Sequence, residues 1–98
     1  MLNEILAANP NDPFARYGLA LEFANAGDTE TALAHFDQLL AANPDYTPAY
    51  QMAGQLLVKA GRSGEARSRL EAGIATADRS GNAHAKNEMQ TLLDEIAY

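Results

Sequence analysis

His84 and Glu88 are the residues whose types and spacing come nearest to a reactive site in this sequence. They lie four residues apart, so on a helix both side chains would face one side and could contact a single metal ion. Two ligands make a weak site, however, and no other histidine or cysteine lies nearby in the sequence. A surface contact between the two side chains explains the spacing equally well. The sequence therefore predicts an ion pair here, with no metal site and no cofactor.

The remaining polar motifs also predict a protein that is not an enzyme. Ser63 and Ser80 precede helical stretches and are expected to be helix caps, and neither belongs to a nucleophile motif. The stretch GRSGEA at residues 61–66 contains glycines but lacks the Lys-Ser/Thr ending of a phosphate-binding loop. His35 lies in the middle of a predicted helix and is expected to face the solvent.

Charge is unevenly distributed along the chain, whose net charge is −6 over 98 residues. Residues 1–58 hold seven acids and one base, Arg16, which gives −6, while residues 59–98 hold six of each sign, which gives zero. Acidic surfaces repel phosphate backbones, so nucleic acid is excluded as a partner. Two interpretations remain open: the acidic half binds a basic protein, or it only keeps the chain soluble.

Composition favours a small helical domain. The chain is rich in alanine, which loses no side-chain entropy in a helix, and it contains no cysteine or tryptophan. The first ten residues, MLNEILAANP, do not resemble a signal peptide, and no apolar run reaches the roughly 20 residues that a membrane span needs. The sequence therefore predicts no membrane segment, and a cytoplasmic location by default.

A six-residue phrase returns within the chain, which indicates an internal repeat. ILAANP at residues 5–10 reappears as LLAANP at residues 39–44, and the offset between Asn9 and Asn43 is 43 − 9 = 34. The same offset aligns further alanines and glycines: Ala15 with Ala49, Ala26 with Ala60, Gly27 with Gly61, and Ala32 with Ala66. A fixed period of this length is typical of stacked helical repeats.

Each repeat has the start and stop signals of two helices. In the first repeat, Asp12 is expected to cap a helix that begins at Pro13, and Gly27 to end it in a left-handed conformation. Asp28 is expected to cap a second helix that ends before Asn43-Pro44, because proline disfavours helical backbone in the preceding residue.

The second repeat follows the same plan. Its first helix is expected to start at Thr47-Pro48 and to stop at Gly61, and Ser63 is expected to cap its second helix. Gly64 and Gly73 are expected to weaken that second helix modestly. A last helix is expected after Ser80, with an apolar stripe at helical spacing: Met89, Leu92, Leu93 and Ile96.

This pattern resembles the tetratricopeptide repeat, a family of 34-residue helix–turn–helix units. The matching positions of residues 13–44 are Leu19, Ala20, Phe23, Ala32, Phe36 and Pro44. Those of residues 47–78 are Tyr50, Gly54, Leu57, Ala66, Leu70 and Gly73. Three residues depart from the family pattern: Arg16 replaces a large aromatic, Leu39 a small residue and Asp78 the closing proline. The resemblance covers residues 1–78, and the last 20 residues only as a helix of the right kind.

The resemblance implies an all-α fold, a short α-α superhelix (TPR-like solenoid) of five to six antiparallel helices. The whole chain, residues 1–98, would form one domain. Its parts would be a partial leading helix at 1–10, repeat 1 at 13–44, repeat 2 at 47–78, and a C-terminal capping helix at 80–98.

In this family the first helix of each pair lines a concave face that holds a segment of another protein. By position, that face would consist of Phe14, Tyr17, Leu21, Asn25, Gln51, Gln55, Val58 and Lys59. Phe14, Tyr17 and Leu21 share one stripe of their helix, while Leu19 and Phe23 form a second stripe that is expected to be buried.

Alternatives to this binding surface remain open. Phe14 and Tyr17 either contact a partner or pack on the leading helix or the loop around Pro10. Gln51, Gln55 and Lys59 either contact a partner or form an ordinary solvated face.

The expected partner is another protein, contacted through a peptide or helix, and a basic partner suits the charge. Some family members clamp a terminal carboxylate with lysine and asparagine, but Tyr17, Leu21 and Met52 occupy the corresponding places here, so this subclass is excluded. The rival interpretation is a structural role, in which the chain self-associates or docks through an end helix. The residues that could supply that contact are Leu93, Ile96 and Tyr98 at one end and Leu2 and Ile5 at the other. A monomer or a weak homodimer is expected.

Overall fold

The computed structural model describes residues 9–10 and 12–96, and this part of the chain forms five α-helices without any strand. The helices are α1 (Pro13–Asn25), α2 (Thr29–Ala42), α3 (Thr47–Lys59), α4 (Ser63–Ser80) and α5 (Ala83–Ile96). The predicted all-α class is confirmed. Most of the predicted leading helix, with Leu2 and Ile5, and the terminal Tyr98 lie outside the described residues.

The start and stop signals of the first helix pair act as predicted. Asp12 and Asp28 cap α1 and α2, and each carboxylate accepts a hydrogen bond from the backbone N–H three residues later, at 3.0 and 3.3 Å. Gly27 follows α1 with a φ of +83°, a conformation that costs glycine little because it has no Cβ. At the end of α2, the Asn43 N–H donates to the Leu39 carbonyl at 2.8 Å.

The prediction that Ser80 caps the last helix is wrong. Ser80 is the final residue of α4, and its hydroxyl donates back to the Ala77 carbonyl at 3.2 Å. The side chain of Asn82 caps α5 instead, because its Oδ1 accepts a hydrogen bond from the Ala85 N–H at 3.1 Å. Helix α4 runs past Asp78, since no proline ends it there.

Ser63 is also not a cap. It is the first residue of α4, and Arg62 takes the capping position without a hydrogen bond from its side chain to the helix backbone. Arg62 instead forms an ion pair with Glu65, with its Nε 2.5 Å from the Glu65 Oε2. The start of α4 is therefore stabilised by an acidic residue in its first turn rather than by a hydroxyl.

The contacts divide the chain into two compact units, residues 1–49 and residues 50–98. In the first unit, the small residues Ala20 and Ala32 are fully buried, as predicted, and so is Phe36. Leu19 is buried on α1 with Phe23 packed against it. The predicted buried stripe of α1 is confirmed.

In the second unit, α4 and α5 share an apolar cluster. The buried members are Leu70, Ala77, Ala85 and Met89. Partly buried side chains pack against them: Tyr50, Ile74, Leu92, Leu93 and Ile96. Leu93 and Ile96, which the rival interpretation assigned to self-association, therefore spend part of their apolar surface inside their own unit.

Two glycines of the second unit mark places where helices approach closely. A Cβ on Gly54 would lie 2.6 Å from Cδ2 of Leu70, and a Cβ on Gly73 would lie 2.5 Å from Sδ of Met89 and 2.7 Å from Cβ of Tyr50. The expectation that Gly73 weakens its helix is therefore corrected, because its missing side chain is what lets Met89 and Tyr50 pack there. Gly64 has open space around it.

Within the described part of the chain, no helix is both long and apolar enough to span a lipid bilayer.

Candidate protein-binding surfaces

Helix α1 presents an apolar stripe outside the core of its unit. The Phe14 side chain is 74% exposed, and it is the one large hydrophobic residue in the described part of the chain with that degree of exposure. Leu21 is half-buried and Asn25 is exposed further along the helix. The predicted site residues of α1 thus differ in how much surface they offer, and Phe14 offers the most.

Tyr17, between Phe14 and Leu21 on this stripe, is partly committed to packing. Its ring lies edge-on to Phe36, with centroids 6.2 Å apart, and tilted against Tyr46, with centroids 5.6 Å apart. Burial raises the pKa of the Tyr17 hydroxyl, and the neighbouring Tyr46 raises it further. Tyr17 therefore joins α1 to α2 and to the start of the next segment, in addition to any contact with a partner.

Arg16 occupies the position of the family's aromatic residue with hydrogen bonds in place of ring packing. Its Nη1 donates to Oε1 of Gln38 at 2.7 Å and lies 3.0 Å from Nδ1 of His35, and its Nη2 donates to the Pro10 carbonyl at 2.9 Å. The guanidinium therefore joins α1 to α2 and to the residues before α1. This position could not be understood from the sequence, because Gln38 is 22 residues away.

His35 is half-buried, so the expectation that it faces the solvent is wrong. Its ring stacks on Phe23, with centroids 5.4 Å apart and 11° between the planes. Arginine has no acceptor, so in the contact with Arg16 the His35 Nδ1 accepts and carries no proton. Burial lowers the pKa of His35, and the charge of Arg16 lowers it further.

In the second unit, the predicted site residues of α3 lie beside α5. Gln51 donates from Nε2 to Oε1 of Glu88 at 3.3 Å. Gln55 is exposed and lines a groove of about 310 Å³. Val58 is half-buried and Lys59 is exposed.

The sequence analysis missed the wall that α5 contributes to this groove, which consists of Glu88, Thr91, Leu92 and Glu95. These four residues are spaced as i, i+3, i+4 and i+7 and so share one face of the helix. That spacing was a usable signal. It was overlooked because Glu88 was interpreted only with His84, and because the last helix was treated as a cap.

The predicted pair of His84 and Glu88 is confirmed as a surface contact. Nε2 of His84 lies 3.0 Å from Oε1 of Glu88, and the two side chains are 86% and 50% exposed. No group of three or more possible metal ligands occurs in the described residues.

These helix pairs, with small residues at the close approaches and side chains displayed on the first helix, are typical of one repeat family. A model of the tetratricopeptide repeat family matches residues 24–89. A TPR repeat-containing protein of Pseudomonas aeruginosa is 30% identical over 95 residues, which is 97% of this chain and 90% of that protein. The chain belongs to the tetratricopeptide repeat family, a non-catalytic repeat fold that generally mediates protein–protein interaction.

Solved structures show the same fold. A tetratricopeptide repeat domain protein from Salinibacter ruber, determined by NMR in solution, has a TM-score of 0.83 and 32% identity, covering 90% of this chain and 89% of that one. A protein from Bordetella parapertussis has a TM-score of 0.85 and 28% identity, covering 98% of this chain and 84% of that one.

Proposed function

We propose that this chain binds a peptide or helical segment of another protein through the outer side chains of α1 and α3, without catalysis. The proposed contact residues are Phe14, Tyr17, Leu21, Asn25, Gln51, Gln55, Val58 and Lys59. The observation that carries the proposal is the exposed Phe14 ring at the head of a stripe that is separate from the buried stripe of Leu19. An apolar stripe outside the core favours a partner that covers it.

The mechanism rests on a surface that exists before the partner arrives. Tyr17 is held by Phe36 and Tyr46, and α1 is held to α2 by Arg16. Side chains on such a helix lose little freedom on binding, so most of the entropy cost falls on the partner segment. An aromatic ring such as Phe14 gives a large contact area for few immobilised bonds.

The test begins with a partner identified by cross-linking and mass spectrometry with the wild-type chain and then purified. Isothermal titration calorimetry compares its affinity for the wild type, Phe14→Ala and the control Ser68→Ala, which changes an exposed residue of α4. We expect Phe14→Ala to weaken binding by about 1–2 kcal/mol, as for a contacting aromatic residue. Ser68→Ala is expected to bind like the wild type.

Stability must be measured on the same variants by chemical denaturation. Because the Phe14 ring is exposed, Phe14→Ala is expected to change the free energy of unfolding by less than about 0.5 kcal/mol. Tyr17→Ala is unsuitable as a binding probe, since its ring packs on Phe36 and Tyr46 and its loss will destabilise the unit. Unchanged affinity in Phe14→Ala would contradict the proposal.

A further inference from the structure

The groove between α3 and α5 in the second unit has a floor and two walls of defined chemistry. We call it the α3–α5 groove, lined by Gln55 on α3 and by Glu88, Thr91, Leu92 and Glu95 on α5. Its volume is about 310 Å³. Gln51 lies at one end, where its amide donates to Glu88 at 3.3 Å.

The charged groups of the α3–α5 groove are both acidic. Glu88 and Glu95 are seven residues apart on α5, which places them roughly 10 Å apart along the helix axis. In the described part of the chain, Glu88 contacts His84 and Gln51, and no residue forms an ion pair with Glu95. The wall of the groove thus displays two carboxylates on one helix face with no lysine or arginine beside them.

An apolar surface and an amide accompany these carboxylates. Leu92 lies between Glu88 and Glu95 on the same face of α5 and is half-buried, so part of its side chain borders the groove. The Gln55 amide, which is exposed on the α3 side, can both donate to and accept from a peptide backbone. The aliphatic stem of an arginine or lysine can cover a leucine while its charged end reaches a carboxylate.

We propose that the α3–α5 groove binds a basic segment of the partner protein, with arginine or lysine side chains on Glu88 and Glu95 and their stems on Leu92. This inference rests on the proposed function and names the chemistry of the partner. Arginine suits the site better than lysine, because its planar group can form two hydrogen bonds with one carboxylate. Acidic segments and phosphate groups would be repelled by the same two carboxylates.

The experiment uses the full 98-residue chain and two synthetic fluorescein-labelled peptides that differ only in charge. One contains leucine flanked by arginines, and the other carries glutamine in place of each arginine. Fluorescence polarisation measures affinity at low and high salt, and ¹H–¹⁵N NMR spectra locate the binding. We expect the arginine peptide to bind more tightly, to lose affinity with added salt and to shift the amide signals of Gln55, Leu92 and Glu95.

Charge-neutralising variants test the carboxylates. Glu88→Gln and Glu95→Gln are each expected to weaken the arginine peptide about two- to fivefold, the range for exposed ion pairs. Glu71→Gln is the matched control, since it removes the same charge from an exposed position of α4. It is expected to leave the affinity unchanged.

The outcomes separate this inference from the proposed function. Equal affinity for both peptides, or equal loss in Glu71→Gln, would overturn the basic specificity of the groove. If the arginine peptide shifts no amide in the groove while the purified partner still binds in a Phe14-dependent way, the inference fails and the proposed function stands. If the purified partner also binds independently of Phe14, both are wrong.

Discussion

At the scale of single residues, Gly73 shows how a missing side chain can set the distance between helices. An added Cβ would overlap both Met89 and Tyr50, at 2.5 and 2.7 Å. We therefore predict that Gly73→Ala destabilises the chain by about 1–3 kcal/mol, as other overpacked cores do. This loss should exceed the roughly 1 kcal/mol that alanine gains over glycine within a helix. Urea denaturation followed by circular dichroism measures it.

Gly64 supplies the matched control on the same helix. Nothing lies within 4 Å of a Cβ built at this position, so Gly64→Ala is expected to leave stability unchanged or slightly raised. If Gly73→Ala were as stable as Gly64→Ala, the close approach of Met89 and Tyr50 to Gly73 would be wrong.

His35 gives the first unit a dependence on pH. Its pKa in the folded state lies below the ordinary value of 6.5, because burial and then the charge of Arg16 disfavour the protonated ring. The unfolded chain therefore binds the proton more readily, and the stabilisation present above about pH 6.5 declines as the pH falls toward the folded-state pKa.

We predict that the free energy of unfolding falls more steeply between about pH 7 and 5 in the wild type than in His35→Gln. Glutamine does not titrate, and it still offers Arg16 an acceptor. Urea midpoints across this pH range measure the difference, and an NMR titration of His35 checks the direction of its pKa shift. Parallel pH profiles for the two proteins would contradict the prediction.

At the scale of elements, the junction between α4 and α5 separates two polar residues with different roles. Asn82 accepts a hydrogen bond from the Ala85 N–H, whereas Ser80 donates to a carbonyl of its own helix. We predict that Asn82→Ala costs about 0.5–2 kcal/mol, the usual range for a lost helix cap. Ser80→Ala, the control, is expected to change stability by less than about 0.5 kcal/mol. Thermal denaturation distinguishes the two, and a larger loss in Ser80→Ala would restore Ser80 as the cap.

Helix ends were predictable from the sequence where a single local signal was present. Asp12, Gly27 and Asp28 act within three residues of the backbone groups that they satisfy or redirect, so their roles follow from position alone. The start of α5 was misjudged because Ser80 and Asn82 are both good capping residues. The backbone turn at Gly81, with a φ of +73°, is what decides between them.

At the scale of the whole molecule, the exposed apolar surface bears on the oligomeric state. Leu93 and Ile96 pack against the cluster of the second unit, which leaves less of their surface for a second copy of the chain. We predict that the 98-residue chain is a monomer across a wide range of concentrations, as measured by size-exclusion chromatography with light scattering. Phe14→Ala, with its large exposed ring removed, is the control for weak association through α1.

A stable dimer would favour the rival structural role over partner binding through a free surface. Dimerisation that disappears in Phe14→Ala would place that contact on α1. Dimerisation that persists would direct attention to the ends of the chain.

The sequence by itself determined the fold class, the period of the repeat, most helix ends and the buried stripe of Leu19 and Phe23. Each of these follows from residue type and spacing along one helix or one turn. Only the tertiary structure decided what Arg16, His35 and Gly73 do, and that Glu88 and Glu95 border a groove with Gln55. These roles depend on atoms that are distant in the chain and meet only when helices pack, and no local pattern encodes such distances.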